Sequence, residues 1–327
     1  MEWTAETILL ELKYTWKISR NATDSKTNVI VKVSEGSLSA RGEAAPNVRY
    51  GESPENCIEE FNRFKSIVPD DCSRIEQIRS ALSHAGASHA LSFAIESAWV
   101  HLQAKQKHQT VSAYLGLEEA DQIPISYTIP IMETGLIREF YDENRLDRFP
   151  FIKLKVNRDD AFDATKYLHS FCREPVMVDA NEAFTDVEEC IYWLEKIKRL
   201  PLVFVEQPMP SAMIEESAYL KRYSPFPLMA DEAITDQANF DELQKCFDGI
   251  NVKLMKTGGY HTAIRFLKEA RRLGMKTMIG CMVETTLGIS SAMNLCSLTD
   301  YADLDSFILL KEEPYRIIKE SEGKLYR

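Results

Sequence analysis

Read for its apolar and polar positions, the chain changes character near residue 118. Before that point, Thr7–Leu12 and Asn28–Val33 are short runs of strand character, the second alternating and rich in Val and Ile. A third run, Leu38–Glu43, leads into Ala-Ala-Pro and the polar stretch Asn47–Pro54. Helical patterns follow. The clearest covers Ser88–Gln106, where Leu91, Ala94, Ile95, Ala98 and Leu102 recur at the spacing of one helix face. Three strands followed by helices predict a small α+β unit over residues 1–117.

Beyond it the pattern becomes periodic. Apolar runs stand at Ile125–Ile131, Phe151–Val156, Val176–Val178, Leu202–Val205, Leu228–Ala230, Ile250–Leu254, Thr277–Ile279 and Phe307–Leu310. Amphipathic segments fill the gaps, among them Val187–Ile197 with Val187, Cys190, Ile191, Leu194 and Ile197 on one face. Eight buried strands alternating with helices predict a (β/α)8 barrel over residues 118–310. An open doubly wound sheet is the alternative, but the Gly-rich phosphate turn it would carry after its first strand is missing.

Charge and composition narrow the function. Fifty acidic residues against 39 basic ones give a net charge of −11, which opposes generic nucleic-acid binding and docking on anionic membranes. No apolar run is long enough for a transmembrane helix, and the first dozen residues lack the basic start of a signal peptide. The seven Cys are scattered without a Cys-x-x-Cys pair, and the six His form no ligand pair. The expected setting is a reducing cytoplasm, without disulfides or a thiolate or histidine-rich metal site.

The candidate chemistry lies at the strand ends. The second barrel strand carries Lys153 and Lys155, the third ends in Asp179, the fourth in Glu206, the fifth in Asp231, and the sixth holds Lys253. From Lys155 onward these charges recur every 22 to 27 residues, in phase with the strands. A single Asp ending an apolar strand is more often an N-cap for the next helix than a ligand. Three carboxylates in adjacent repeats, flanked by lysines, would crowd one mouth and repel unless a cation sat between them. All-oxygen ligation suits Mg²⁺, with Mn²⁺ as a substitute. Lys153 and Lys155 share one strand face, and strands two and six lie opposite each other in a ring of eight. Lys155 and Lys253 would then face each other across the mouth, an arrangement for removing a proton from one face of a carbon and returning it to the other. The competing account of the lysines is simple ion pairing with the three carboxylates.

Taken together, Lys153-x-Lys155, Asp179-Ala-Asn181, Glu206-Gln-Pro208, Asp231-Glu232 and Lys253-Leu-Met-Lys256-Thr-Gly258-Gly259 resemble the enolase superfamily, specifically its muconate-lactonizing subgroup, over nearly the whole chain. The resemblance implies a modified (β/α)7β barrel with an N-terminal capping domain, a last barrel helix absent or displaced, and a tail, 311–327, packing back on the capping domain. It implies Lys155 and Lys253 as acid/base catalysts, one Mg²⁺ per subunit on Asp179, Glu206 and Asp231, and Lys153 at the substrate carboxylate. Within the subgroup, Asp303-Leu-Asp305 and Met282-Val-Glu-Thr-Thr-Leu-Gly288 are similar to segments of the dipeptide epimerases, the first resembling the Asp-x-Asp that holds a substrate ammonium. Thr128 and Cys281, near the ends of strands one and seven, are candidate pocket-lining residues.

The expected activity is therefore epimerisation of a dipeptide, L-Ala-D/L-Glu first, in the salvage of cell-wall peptides, by an enzyme whose sequence is compatible with a homo-oligomer. Arg20 and Arg49 are the candidate readers of a glutamate side chain, since Asn21 stands where the family carries an Arg. The alternatives are a superfamily cycloisomerase or o-succinylbenzoate synthase, a Schiff-base aldolase using Lys253, and a non-catalytic barrel that only binds. Asp303 and Asp305 speak against the first pair, whose substrates lack an ammonium. A Schiff-base enzyme would need no triad of carboxylates.

Overall fold

The computed structural model describes residues 1–19 and 21–327. The chain opens with an antiparallel meander, β1 (Glu2–Ile18), β2 (Asn21–Glu35) and β3 (Leu38–Ala44). β1 runs well beyond Thr7–Leu12 because its outward positions are mostly Glu, Lys and Thr, and among its described side chains only Trp3, Leu10 and Leu12 are buried. A sheet wetted on one face needs apolar residues only on the other.

The dry face is covered by α1 (Pro54–Ile67) and, beyond α2 (Ile75–Ala85), which packs on both helices, by α3 (His89–Gln106). α1 starts where Ser53 accepts the Asn56 amide and Pro54 presets the first turn. α3 matches the expected helix, with Ser88 as its N-cap residue. Leu91, Ala94, Ile95, Ala98 and Leu102 are fully buried, but so are Phe93, Glu96 and Trp99. The helix is buried almost all round because it lies between the meander and the barrel helices. Gly42 of β3 permits that approach: a Cβ there would stand 2.0 Å from the Ala94 carbonyl oxygen.

After a single turn, α4 (Val111–Tyr114), and the short β4 (Gln122–Pro124), eight parallel strands follow. They are β5 (Ser126–Ile129), β6 (Phe151–Lys155), β7 (Val176–Asp179), β8 (Leu202–Glu206), β9 (Leu228–Ala230), β10 (Gly249–Lys253), β11 (Lys276–Gly280) and β12 (Tyr301–Asp303). Each pairs with its sequence neighbour. The intervening helices are α5 (Ile137–Glu143), α6 (Ala161–His169), α7 (Val187–Ile197), α8 (Ile214–Tyr223), α9 (Phe240–Cys246), α10 (Leu254–Thr257), α11 (Tyr260–Arg272) and α12 (Thr286–Met293).

One strand differs from the expectation. The eighth lies at Tyr301–Asp303; of the expected run, Phe307–Leu309 falls in a 3-10 turn, Ser306–Leu309, and Leu310 forms an isolated bridge to Leu12 of β1. A short apolar run does not by itself separate a strand from a buried turn. Here Asp300 settles the register, accepting the Thr277 amide and so bringing Tyr301 beside Met278 of β11. No α-helix follows β12 among the described residues, giving the (β/α)7β form. The tail leaves beside β1, where the Lys311 amide donates to the Glu11 carbonyl. It ends in a hairpin, β13 (Lys319–Ser321) and β14 (Lys324–Tyr326), paired with β4.

No ladder joins β12 to β5 among the described residues. Side chains close that seam: Ser126 Oγ donates to Asp303 Oδ1 (2.8 Å) and the Thr128 amide to Asp305 Oδ2 (2.6 Å). Inside the barrel, Met177, Phe204, Met229 and Met278 form an apolar plug with Phe151 and Tyr301 against it. Each stands two residues before Asp179, Glu206, Asp231, Gly280, Lys153 and Asp303 respectively, so the period of two along a strand lays a charged layer directly on an apolar one. All seven cysteines are free, and no helix is long and apolar enough to cross a membrane among the described residues.

Candidate active site

The charged layer floors a cavity of about 880 Å³ between the barrel mouth and the meander. From below it is lined by Thr128, Lys153, Lys155, Asp231, Lys253, Cys281, Asp303 and Asp305, and from above by Trp16, Lys26 and the loop Ala45–Glu55. Lys153, 1% exposed, lies at the centre of the floor. Its Nζ is 2.7 Å from Glu206 Oε2, 2.8 Å from Asp303 Oδ2 and 3.1 Å from Asp179 Oδ2. Burial opposes its charge, but these carboxylates hold its pKa well above the ordinary lysine value.

Lys155, one pleat higher, donates to Asp179 Oδ2 (2.7 Å) and Asn181 Oδ1 (2.9 Å). β6 and β10 are four strands apart in an eight-stranded ring, so Lys253 stands opposite. Its Nζ donates to Asp231 Oδ2 (2.9 Å). Burial works against the Lys253 charge too, yet Asp231 keeps its pKa raised. Asp179, Glu206 and Asp231 end the three strands between, on the arc that separates the two lysines.

These three carboxyls are fully or almost fully buried and respond differently. Burial penalises all of them. Lys153 and Lys155 bring Asp179 far down, and Lys253 and Lys256 do the same for Asp231. Glu206 is pushed up to about 8, by burial first and then by Asp179 and Asp231, against the pull of Lys153. Asn251 Nδ2 donates to its Oε1 (2.8 Å), while its Oε2 receives no well-directed hydrogen bond. Among the described residues no three acidic or other ligating side chains already converge on one point, because ammonium groups stand between them. Three buried carboxylates on adjacent strands, held apart here only by lysine ammoniums, form the all-oxygen donor set that a hard divalent cation satisfies.

Asp303 and Asp305 sit at the seam. Asp303 accepts from Ser126, Thr128 Oγ1 (3.2 Å) and Lys153, and its pKa lies below the usual value despite burial. Asp305 accepts the Thr128 amide, and burial with Asp303 beside it brings it up to about 7. Thr128 thus lines the cavity by holding both acids. Cys281 Sγ donates to the Asp303 carbonyl (3.2 Å), and burial pushes its thiol well up, so it is no ready nucleophile.

Three further residues carry the site and are not singled out by strand-end reading. Asn181 bonds Lys155 and directs its Nδ2 to Glu232 Oε1 (3.2 Å) from a left-handed backbone, φ 43°. Glu182 and Gln207 share that region, φ 66° and 35°, so the β7 and β8 ends carry the strain typical of functional turns. The motif Asp179-Ala-Asn181 held the clue, since Asn tolerates that conformation best among large residues. Lys256, 2% exposed, grips Asp231 Oδ1 from behind (2.6 Å) because α10 folds the chain back immediately after β10. Lys26 lines the upper wall; it donates to the Pro46 carbonyl and forms no ion pair among the described residues. Of the two arginines, Arg20 lies outside the described residues. Arg49 is committed to Glu182 Oε1 (2.6 Å) and Ser211 Oγ (3.3 Å) and so ties the upper loop to the barrel.

The family model for the enolase C-terminal domain-like fold matches residues 136–314. The L-Ala-D/L-amino acid epimerase of Pedosphaera parvula is 32% identical, over 97% of this chain and 93% of its own. An enolase family member from Agrobacterium tumefaciens with homology to dipeptide epimerases, solved with sodium and L-Ala-L-Glu, superposes with a TM-score of 0.90 at 27% identity, covering 99% of this chain and 97% of its own. The dipeptide epimerase of Enterococcus faecalis, solved with Mg and L-Leu-L-Tyr, gives 0.90 at 25% identity, covering 99% and 96%. With lysines on opposed strands, carboxylates on the arc between them and relatives of this kind over its whole length, the chain belongs to the enolase superfamily, as an isomerase grouped with the epimerases.

Proposed function

We propose that the chain is a Mg²⁺-dependent dipeptide epimerase that inverts an α-carbon by 1,1-proton transfer between Lys155 and Lys253, with L-Ala-D/L-Glu as its leading substrate. The observation that carries this reading is the opposition of the two lysines across the cavity, with Asp179, Glu206 and Asp231 between them. Mg²⁺ held by these three carboxylates supplies a Lewis acid for the charge that develops on the substrate's terminal carboxylate.

The chain's own residues do the rest. A neutral Lys155 amine takes the α-proton from one face, and the Lys253 ammonium, kept charged by Asp231, gives a proton to the other. One proton is taken and one given, so charge is conserved; proton exchange of both lysines with water then restores the starting states, and the reverse direction exchanges the two roles. Lys153 offers its ammonium to the substrate carboxylate. Asp303 and Asp305 accept the substrate's free ammonium, which replaces cationic and amide donors at the seam. Among the described residues, Lys26 is the cation on the upper wall outside any ion pair, and its place there supports an acidic second side chain, glutamate first. Such a substrate fits salvage of cell-wall peptides in the cytoplasm.

The test is incubation of the protein with a dipeptide library and Mg²⁺ in D2O, read by mass spectrometry. One deuterium should appear at an α-carbon, with both epimers formed from either one. A library in which no dipeptide gains deuterium rejects the proposal.

A further inference from the structure

Cys281–Val283, in the loop between β11 and α12, forms one wall of the cavity, and residues of the meander hold that loop. Asn28 of β2 donates from Nδ2 to the Val283 carbonyl (2.9 Å) and to Glu43 Oε1 (2.8 Å). Glu43 of β3 accepts from the Thr285 amide (3.0 Å), Thr285 Oγ1 (2.6 Å) and the Gly288 amide (2.9 Å). From the same loop, Glu284 turns into the same junction. Its Oε1 accepts the Met282 amide (2.8 Å), and its own amide donates to Ser306 Oγ (3.1 Å).

Both carboxyls are buried, 1% exposed for Glu43 and 4% for Glu284, and neither forms an ion pair among the described residues. One glycine separates them. A Cβ on Gly288 would stand 2.3 Å from Glu284 Oε2 and 3.1 Å from Glu43 Oε2, so both oxygens border the same small gap. Two unpaired carboxylates cannot both stay ionised in such a place.

We propose that Glu43 and Glu284 are positioning residues that share one proton across the boundary between meander and barrel, and that this proton holds the cavity wall at 281–283 in place. The donors assign it. Glu43 receives four hydrogen bonds, from Asn28, Thr285 (two) and Gly288, and is the ionised partner. Glu284 receives one and carries the proton. Burial, and Glu43 after it, pushes Glu284 up to about 8, and burial also raises Glu43 against its hydrogen bonds. Lys253 from β10, Cys281 from the wall and Tyr315 from the tail are the other titratable groups facing the pair. None of them neutralises it by contact. Loss of the proton sets two charges against each other beside Gly288, frees the wall and weakens binding of whatever fills the cavity.

The binding consequence rests on the dipeptide reading; the shared proton does not. The experiment therefore has two arms. In the first, ¹³C-carboxyl-labelled Glu and the Met282 amide are followed by NMR from pH 6 to 10 in the wild type and in Glu284→Gln, whose side-chain NH2 mimics the protonated acid. A carboxyl titrating near 8 in addition to that of Glu206, with the Met282 amide moving at the same midpoint and both absent from the variant, is expected. A wild type in which every Glu carboxyl other than that of Glu206 titrates below 6, or in which the Met282 amide ignores the transition, overturns the proposal. In the second arm, the KM for L-Ala-L-Glu should rise about tenfold per pH unit above the midpoint in the wild type and lose that rise in Glu284→Gln. Glu43→Gln, which replaces an acceptor by a donor facing Thr285, should raise KM about tenfold at neutral pH. A rise in KM that persists unchanged in Glu284→Gln overturns the wall's part in binding, whereas a protein that turns over no dipeptide but shows the NMR transition loses only the functional reading.

Discussion

Lys153, on the barrel side of the cavity, is 1% exposed and meets three carboxylates; Lys26, on the meander side, is partly exposed and pairs with none among the described residues. The contrast extends to their surroundings. The floor is a closed ionic layer in which Asp179, Glu206, Asp231 and Asp303 are each answered by a lysine, all resting on an apolar plug of Met and Phe. The upper wall is Trp16, Lys26 and a loop fixed at its ends, where Glu52 accepts the Asn47 and Ala90 amides and Arg49 reaches Glu182. A layer of compensated charge tolerates little change, because removing one partner leaves the other buried and unpaired. The upper wall can vary side chain by side chain. Chemistry common to a family belongs on the first surface, and selectivity peculiar to one member on the second.

The sharpest way to break that division is to remove a lysine from the floor. Lys155→Ala and Lys253→Ala should each lower epimerisation by about 10²–10⁴-fold, the worth of a positioned proton carrier. Each should also abolish α-hydrogen exchange from one epimer while sparing the other. Equal partial loss from both epimers in both variants would show that the lysines are not divided between two faces.

Next comes the acid arc. Asp179→Asn keeps the shape of the side chain and a hydrogen-bonding oxygen but removes one charge from the donor set. Mg²⁺ affinity, measured by calorimetry, should fall by more than the about 10–100-fold typical of an outer-shell partner. Chelation of the wild type should stop exchange, and added Mg²⁺ should restore it. An affinity equal to wild type would place the ion elsewhere.

Much of the floor was legible because a barrel repeats. One charged residue per strand, at spacings of 22 to 27, puts Lys155, Asp179, Glu206, Asp231 and Lys253 at one mouth whatever the loops do. What stayed hidden depends on local backbone geometry. Lys256 reaches Asp231 only because a one-turn helix reverses the chain after β10, and Asn181 meets Lys155 only from a left-handed residue. The eighth strand, Tyr301–Asp303, has one fully apolar side chain, and its place is set by Asp300 rather than by hydrophobicity. Lys26 was invisible for another reason: on a wall assembled from separate loops, no period marks which polar residue faces inward. The Gly258-Gly259 pair could be read as a motif without its reason. A Cβ on Gly259 would lie 2.6 Å from the Glu96 carboxylate, which accepts the His261 amide where α3 meets α11.

The junction between the two regions should yield to acid before the floor does. His101 of α3 packs against α11 and α12, its Nε2 bonded to Tyr260 Oη (3.0 Å) and 3.4 Å from Ser291 Oγ. Burial lowers its pKa from 6.5 to about 4, with Lys105 and Arg327 adding to the shift. The unfolded chain therefore binds a proton between pH 6.5 and 4 that the folded chain refuses, and stability falls as pH drops through that window. About 2 kcal/mol should be gone by pH 5, seen as a lower urea midpoint than at pH 7. His101→Gln, which cannot titrate, should flatten that part of the pH dependence; an equally steep loss in the variant would assign it to the acids.

The smallest effect should fall on the upper wall, and it separates selectivity from catalysis. Lys26→Met keeps the length and the apolar stem of the side chain while removing its ammonium. The lost contact is one charge-assisted hydrogen bond to a substrate side chain, so KM for L-Ala-L-Glu should rise about tenfold with kcat little changed. L-Ala-L-Leu, with nothing for the ammonium to meet, should keep its KM or lower it as the wall becomes apolar. The ratio of the two kcat/KM values is the informative quantity, because a general loosening of the cavity would depress both and leave it unchanged. A fall in kcat for both dipeptides would mean that Lys26 acts on the floor through the loop it holds at Pro46. The division between a fixed ionic layer and a variable wall would then be drawn in the wrong place.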